Sequence, residues 1–543
     1  MKKKLLALIM AVCMSVVSLA GCGGTKGTSS NTVDPENLSN DDSVKEFSIA
    51  CIAAGDVNPP MNEWWIWEEY EKMTGIHIEW KEIPGTAVDE KKNLMLASKD
   101  KPDAFWQIGF STEELIRYGS EGGFVNIKPY MDEYAPNLKS LLESVNGGMQ
   151  SCTMPDGGTY SMPWVMTDLP QMNLRYWINK NWLAKAELEV PSTIEELTAA
   201  FETFKTQDVN GNGDANDEWP IYYQPGGMGM FEQQLSGSYG IGDNGLKPLG
   251  EAYYVDENDE AQYLYTSEEM KQMWMQMAEW WEKGYFHPET FGTLEYEKWV
   301  TDGKVNDVVG LYGWVGSNYL YSNAYENYTP ISVLKGPDDK MVQSWCDHPV
   351  RGNSAFTITD ACEAPGTLLK WADYFYGEEG VQFGAFGKEG VTYEKNANGD
   401  AVYVDEILNY EGGAQLGAFQ YGLLVYGGGL PCLYVDSEKM EIARKQDDPS
   451  FEGEKFSLYV SDSEKYKPEF LPGLIPTLEE AAELPSVSTD INAFKDEART
   501  KFVTGEWNFE SDWDKYVKQI NKMGAERYTE IKRAQYDRYK AAK

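Results

Sequence analysis

Residues 47–80, FSIACIAAGDVNPPMNEWWIWEEYEKMTGIHIEW, together with KPDAFW at 101–106, decide the fold. Phe47, Ile49 and Cys51 alternate as one buried face of a strand. Asp56, Asn58, Pro59 and Pro60 then form a polar loop at that strand's carboxyl end. Residues 63–73 read as a helix, with Ile66, Tyr70 and Met73 on one face and Gly75 as its stop. Ile76, Ile78 and Trp80 alternate as a second strand, a further helix is expected near 90–98, and 102–106 reads as a short buried strand. A β–α–β–α–β order predicts a parallel, doubly wound sheet flanked by helices. Ligands of such sheets sit beyond the carboxyl ends of the strands, which puts Asp56, Asn58 and Trp106 at one cleft.

Upstream of this unit, Gly23 to about Glu46 is rich in Gly, Ser, Thr, Asn and Asp and has little to bury. Residues 22–46 therefore read as a flexible tether. Lys2, Lys3 and Lys4 followed by the apolar run Leu5–Leu19 read as a signal peptide over 1–21, too short to span a bilayer comfortably. Its last residues form the lipobox Leu19-Ala20-Gly21-Cys22, in which small side chains admit a signal peptidase and leave Cys22 first in the mature chain, ready for lipidation. Several acyl chains at one terminus anchor a protein without a transmembrane helix, each buried methylene adding about 0.8 kcal/mol. The expected location is the extracellular face of a bacterial cytoplasmic membrane.

The remaining 497 residues are too many for one core and suit two large lobes. Loss of residues 1–21 removes three lysines and takes the formal charge from −40 to −43. A charge of that size repels nucleic acid and anionic surfaces and leans the ligand toward a neutral one. Cys51, Cys152, Cys346, Cys362 and Cys432 have neither metal-ligand nor redox spacing and read as buried free thiols, with a disulfide as the alternative. With only His77, His287 and His348 available, a histidine-rich metal site is excluded. The 18 Trp, 34 Tyr and 20 Phe supply flat faces that suit the C–H face of a sugar ring, although most must fill a core.

The stretch KPDAFWQIGFSTEELIRYGSEGGFVNIKPYM (101–131) resembles the segment of periplasmic maltodextrin-binding proteins in which a Pro-Asp strand ends in a sugar-contacting Trp. YSMPW (160–164), WINKNWL (177–183), VPSTIEEL (190–197), KGYFHPE (283–289), FGKEGVTYE (386–394) and YDRY (536–539) follow in the family's order. The chain is similar to the extracellular solute-binding family 1, in its long lipoprotein branch typical of Gram-positive bacteria. That resemblance implies a two-lobe periplasmic-binding-protein-like α/β fold of type II. It implies lobe 1 over about 47–163 plus part of 315–435, and lobe 2 over about 164–314 plus the C-terminal helices. It also implies capture of an oligosaccharide by hinge closure, delivery to the permease of an ABC importer, and a monomeric protein. Asn179 and Asn181 depart from the family's charged residues at those positions. Asp56, Asn58, Trp106 and Trp164 are the expected pocket residues, with Trp64, Trp314 and Trp345 as further candidates.

DVNGNGDANDE (208–218) has the first half of an EF-hand loop. Asp208, Asn210 and Asn212 alternate so that their oxygens converge, Gly213 permits the sharp turn, and Asp214 offers its carbonyl. Asp217 and Glu218 close a hard-oxygen shell suited to Ca²⁺, in a role that pins the loop. Trp219 stands where an EF-hand carries its bidentate Glu, and the loop resembles one found in alginate-binding relatives. The competing reading is an Asn-Gly turn cluster. Elsewhere, Thr193 with Glu196 is expected to cap a helix, and Ser511 another whose buried face is Trp513, Tyr516, Val517 and Ile520.

No nucleophile elbow, P-loop or zinc motif is present, so the chain is expected not to be an enzyme. A surface glycoside hydrolase, needing two carboxylates about 5–10 Å apart, is the alternative, and a peptide or other small solute is the alternative ligand.

Overall fold

The computed structural model describes residues 40–53, 59–98, 100–166, 175–223, 227–241, 252–256, 258, 260–292, 296–314, 327–343, 349–411, 413–423, 433–447, 465–466 and 474–542. Along the chain the strands are β1 (Glu46–Ile52), β2 (His77–Ile83), β3 (Ala104–Trp106), β4 (Met162–Met166), β5 (Arg175–Asn179), β6 (Trp219–Ile221), β7 (Tyr253–Val255), β8 (Ala261–Tyr263), β9 (Val309–Trp314), β10 (Tyr328–Pro330), β11 (Val350–Ile358), β12 (Tyr393–Lys395), β13 (Ala401–Tyr403) and β14 (Tyr434–Val435).

A six-stranded sheet in the order β14-β4-β11-β3-β1-β2 forms the first lobe. β1 runs parallel to β2 and β3, as the alternation predicts, and the helices Trp65–Thr74 and Val88–Ala97 connect them. Gly75 ends the first helix with φ 70°, a left-handed cap that a side chain would strain. β11 is antiparallel to both β3 and β4, so the sheet is mixed. The reason is connectivity: β4 leaves the sheet at its carboxyl end toward the second lobe, and β11 returns at that same end and must run the other way. The second sheet, β10-β5-β9-β6, pairs β5 antiparallel with β9 and β10, and β6 parallel with β9. β4 carries Trp164 within the first sheet and β10 belongs to the second. The crossing therefore begins after Met166 rather than at Trp164, and residues 328–330 lie with the second lobe.

Each sheet has its own core. In the first, Trp67, Trp80, Trp106, Trp371 and Phe375 interlock, with ring centroids 4.8–6.4 Å apart. In the second, Trp274, Phe502, Trp513 and Tyr516 tie the C-terminal helices Leu478–Val503 and Phe509–Met523 to the helix Glu268–Glu282. Cys51, Cys152 and Cys362 are buried free thiols, and burial pushes each up to about 12, so they stay protonated and unreactive.

Three local expectations change. Ordered structure begins before Glu46: Asn40 donates to Thr367 Oγ1 (3.0 Å) and accepts from Thr367 N (2.9 Å), and Val44 packs against the first core. Thr193 caps the helix Ile194–Thr206 through Glu196 N (3.0 Å), but Glu196 reaches back to Ser192 N and Oγ instead of closing a box on the cap residue. The helix Phe509–Met523 is capped by Asn508, which accepts from Glu510 N (2.9 Å) and Ser511 N (3.2 Å), so Ser511 sits inside its first turn.

Candidate functional site

The carboxyl ends of β1, β3 and β4 and the start of β11 share one edge of the first sheet. The chain leaves β4 from this edge and enters the second sheet at Arg175, which stands in register with Trp314 at the end of β9. β6 ends at the same edge, and Phe286, which bridges Ile221 in parallel, carries a neighbouring segment there too. Two sets of strand ends therefore face the crossing segments, the position at which α/β sheets bind ligands.

Trp106 does not belong to that edge as a ligand platform. Its side chain is fully buried, with its ring against Trp67, Trp80, Phe356, Trp371 and Phe375. The cause is side-chain alternation under helices on both faces: Phe105 turns toward Leu115 and Ile116, and Trp106 turns toward Trp67 and Trp371 on the other side. The next residue, Gln107, is half-buried with φ 48°, a left-handed conformation uncommon for a residue with a Cβ, and its N–H bonds Ala355 O at 2.7 Å. Nothing in the sequence marked Gln107 except its place after the strand.

Trp164 lies half-buried on β4, opposite Gly352, and its Nε1 has no hydrogen-bond partner among the described residues. Trp64 is 6% exposed and donates from Nε1 to Pro59 O (2.7 Å), fastening the exit of the β1 loop to the helix start. Trp314 is placed by its backbone in β9. Its side chain, together with Asp56, Asn58, Trp345 and Cys22, lies outside the described residues. Arg175, 2% exposed with its guanidinium 5.9 Å from the Trp177 ring, is a buried cation at the edge of the second sheet that the sequence reading passed over.

The 208–218 loop closes on itself. Asp208 accepts from Gly211 N (2.7 Å) and Gly213 N (3.1 Å), with Gly211 at φ 81° and Gly213 at φ 96°. Asn210 Oδ1 accepts from Asn212 N (3.0 Å), and Asn212 Oδ1 from Asp214 N (2.8 Å). Asp217 turns inward to the amides of Asn210 (3.1 Å) and Asn212 (2.6 Å), whereas Asn216 turns out to Asp214. Glu218 is 1% exposed; its Oε1 meets Asn210 N at 3.3 Å and its Oε2 has no partner among the described residues. Burial raises the Glu218 carboxyl above the usual carboxylate range, with the Asp217 charge adding to it. Among the described residues no three His, Cys, Asp or Glu side chains gather as a metal site. The convergence here rests on amide oxygens as well as carboxylates, and the unpartnered Glu218 Oε2 is the observation that fits a hard cation.

The departure at 179 and 181 also resolves. Asn179, fully buried, caps the helix Lys180–Lys185 by accepting from Asn181 N (3.1 Å) and Trp182 N (3.2 Å). Its amide donates to Asp307 Oδ1 (3.0 Å), so an amide–carboxylate bond does the local work here.

A family model described as bacterial extracellular solute-binding protein matches residues 58–382. The fructooligosaccharide ABC transporter substrate-binding protein FusA of Streptococcus pneumoniae serotype 4 is 27% identical over 545 residues, covering 97% of each chain. Solved structures of FusA, one in complex with kestose and an EF-hand mutant with fructo-nystose, match at TM-score 0.70 and 24% identity, over 92% of this chain and 100% of theirs. The alginate-binding protein AlgQ2 without calcium ion matches at TM-score 0.67 and 21% identity, over 91% of this chain and 98% of its own. The solved structures carry the fold, and the family model spans more than half of the chain: this protein belongs to the bacterial extracellular solute-binding proteins.

Proposed function

We propose that this protein captures an oligosaccharide between its two lobes and delivers it to the permease of an ABC importer, held at the membrane by acyl chains on Cys22. The observation that carries the reading is the shared edge where both sheets present strand ends toward the crossing segments. The 27% identity to FusA along nearly the whole chain supports the ligand class. Asp56, Asn58, Gln107, Trp164, Trp314 and Trp345 are the residues proposed to line the cleft, with Trp64 bracing the β1 loop. Binding occurs without turnover, as suits a carrier. Isothermal titration of the soluble chain with neutral oligosaccharides, with the products examined by chromatography, tests this: saturable binding with intact sugar supports it. Cleavage products would point to the glycoside hydrolase instead.

We infer further that Ca²⁺ fills the 208–218 loop, taking oxygens from Asp208, Asn210, Asn212, the Asp214 carbonyl, Asp217 and Glu218. The inward Asp217, the outward Asn216 and the unsatisfied Glu218 Oε2 support this ligand set. Its work is to hold the loop that leads into β6. Anchoring is tested by feeding labelled palmitate to cells: label should enter the wild type and vanish in Cys22→Ser.

A further inference from the structure

A cavity of about 570 Å³ opens in the second lobe between the helix Met228–Ser236, the segment 290–292 and the C-terminal helix Leu478–Val503. Its lining helix Met228–Ser236 follows β6 in the chain, and its segment 290–292 follows Phe286, which bridges Ile221, so both walls lead off strand ends that face the crossing segments. Its volume falls within the range of small-ligand sites, roughly 300–1,000 Å³.

Four charged side chains line its floor in a fixed array. Glu232, 1% exposed, accepts from Trp274 Nε1 (2.7 Å) and from Arg499 Nη1 (2.6 Å). Arg499 Nη1 also lies 3.2 Å from Asp496, and Lys495 Nζ lies 3.1 Å from the same carboxylate and 4.5 Å from the Tyr265 ring centre. Apolar wall is supplied by Met228, Met230 and Phe291. Gly229 faces open space: a Cβ built there meets nothing within 4 Å.

We propose that this cavity is a separate saccharide subsite, which takes one end of a neutral oligosaccharide whose other units occupy the interlobe cleft. The inference rests on the oligosaccharide reading above. Two cations balance two carboxylates, so a uronate or other anion would find no uncompensated positive charge and would face Asp496 and Glu232. A hydroxyl, by contrast, donates to a carboxylate and accepts from a guanidinium or ammonium at once, and cations locked by partners lose little freedom on binding it. Met and aromatic walls then cover the C–H face of the ring. Because the helix Leu478–Val503 supplies three of the four charged side chains, the subsite ties this helix to selection of ligand length.

The test is Gly229→Phe in the full mature chain, since the new ring fills the cavity from a helical position with room for it. Wild type and variant are titrated with a neutral oligosaccharide series of increasing length and with a galacturonate series of the same lengths. The expected result is unchanged affinity for the shortest neutral ligand and a loss of about tenfold or more for the longest, at an unchanged melting temperature. Lys495→Met, which leaves the Arg499–Glu232 pair in place, should reduce the same length-dependent gain and serves if Gly229→Phe unfolds. Length dependence that survives both variants overturns the subsite and leaves the function standing. A galacturonate series that gains affinity through this cavity overturns its neutral character. Failure of every neutral oligosaccharide to bind the wild type overturns the functional reading itself.

Discussion

Trp106 and Trp164 sit on strands of one sheet, yet they call for opposite experiments. Trp106 is enclosed by five aromatic rings, so Trp106→Ala should cost about 3–5 kcal/mol of folding stability while sugar affinity stays unchanged. Denaturant unfolding beside calorimetric titration separates the two readouts. Trp164→Ala should instead lower affinity by about 1–3 kcal/mol, because part of its ring remains free at the edge. The sequence placed both residues near strand ends and could not tell them apart. Facing follows from pleat register and from what packs above the strand, and a three-residue strand gives no periodicity to read. His287 adds a prediction set by its surroundings. Its ring stacks on Tyr222 at 3.9 Å, and burial, assisted by the Lys298 charge, lowers it to about 4. The unfolded chain therefore binds a proton near pH 6.5 that the folded chain refuses until about 4. This contribution is fully present above pH 6.5 and is lost as pH falls through that window. His287→Phe keeps the stack and removes the proton site, so its stability should decline less steeply between those pH values, by at most about 1.4 kcal/mol per pH unit. Identical slopes for the two proteins would exclude His287 as the titrating group.

At the scale of elements, local grammar was legible wherever a short motif carries its own geometry. The Asp208-x-Asn210-x-Asn212-Gly213 spacing foretold the Asx turns and the left-handed Gly213. The inward turn of Asp217 was legible only as a choice between neighbours, because it depends on which side chain reaches the amides of Asn210 and Asn212. The cap of the helix Phe509–Met523 was misread by three residues, since Asn508 and Ser511 are both good caps and the packing of Phe509 on Phe502 decides between them. The direction of β11 was out of reach, because it is fixed by a return from the second lobe, hundreds of residues after β1. For the loop itself, chelation should lower the melting temperature and Ca²⁺ should restore it by binding the native state. Mg²⁺ should rescue poorly, since its smaller shell demands stricter octahedral geometry. The Asp208→Ala, Asp217→Ala double variant should melt like the chelated wild type and gain nothing from added calcium. Differential scanning calorimetry decides it, and a wild type indifferent to chelator would leave only a hydrogen-bonded turn.

At the scale of the molecule, the two lobes meet through more than the crossing segments. Leu474 packs on the hairpin of β7 and β8 in the second lobe, whereas Ile475 packs on the first-lobe group that includes Phe105 and Leu115. The helix Leu478–Val503 follows at once, capped by a reciprocal Thr477–Glu480 pair, and contacts both the first-lobe helix Thr112–Ser120 and the second-lobe helix Glu268–Glu282. Arg538 and Arg527 clamp its first turns through Glu480 and Glu483. These last pairs are exposed enough that each adds little to stability, but together they fix the strap to the C-terminal helices. Closure around a ligand is expected to pivot where the strap changes lobes, at 474–475, with the helix sliding over its contact on Thr112–Ser120 as it moves with the second lobe. A ligand drives such closure only through contacts made in the closed state. Small-angle scattering should show a smaller radius of gyration at saturating oligosaccharide, and Ile475→Ala should weaken the strap's hold on the first lobe while leaving both cores intact. The expected outcome is a more open ligand-free profile in Ile475→Ala, an unchanged closed profile, and lower affinity, since more of the binding energy goes into closing. If the ligand-free profiles of variant and wild type superimpose, the pivot lies in the other crossings and the strap is only a brace.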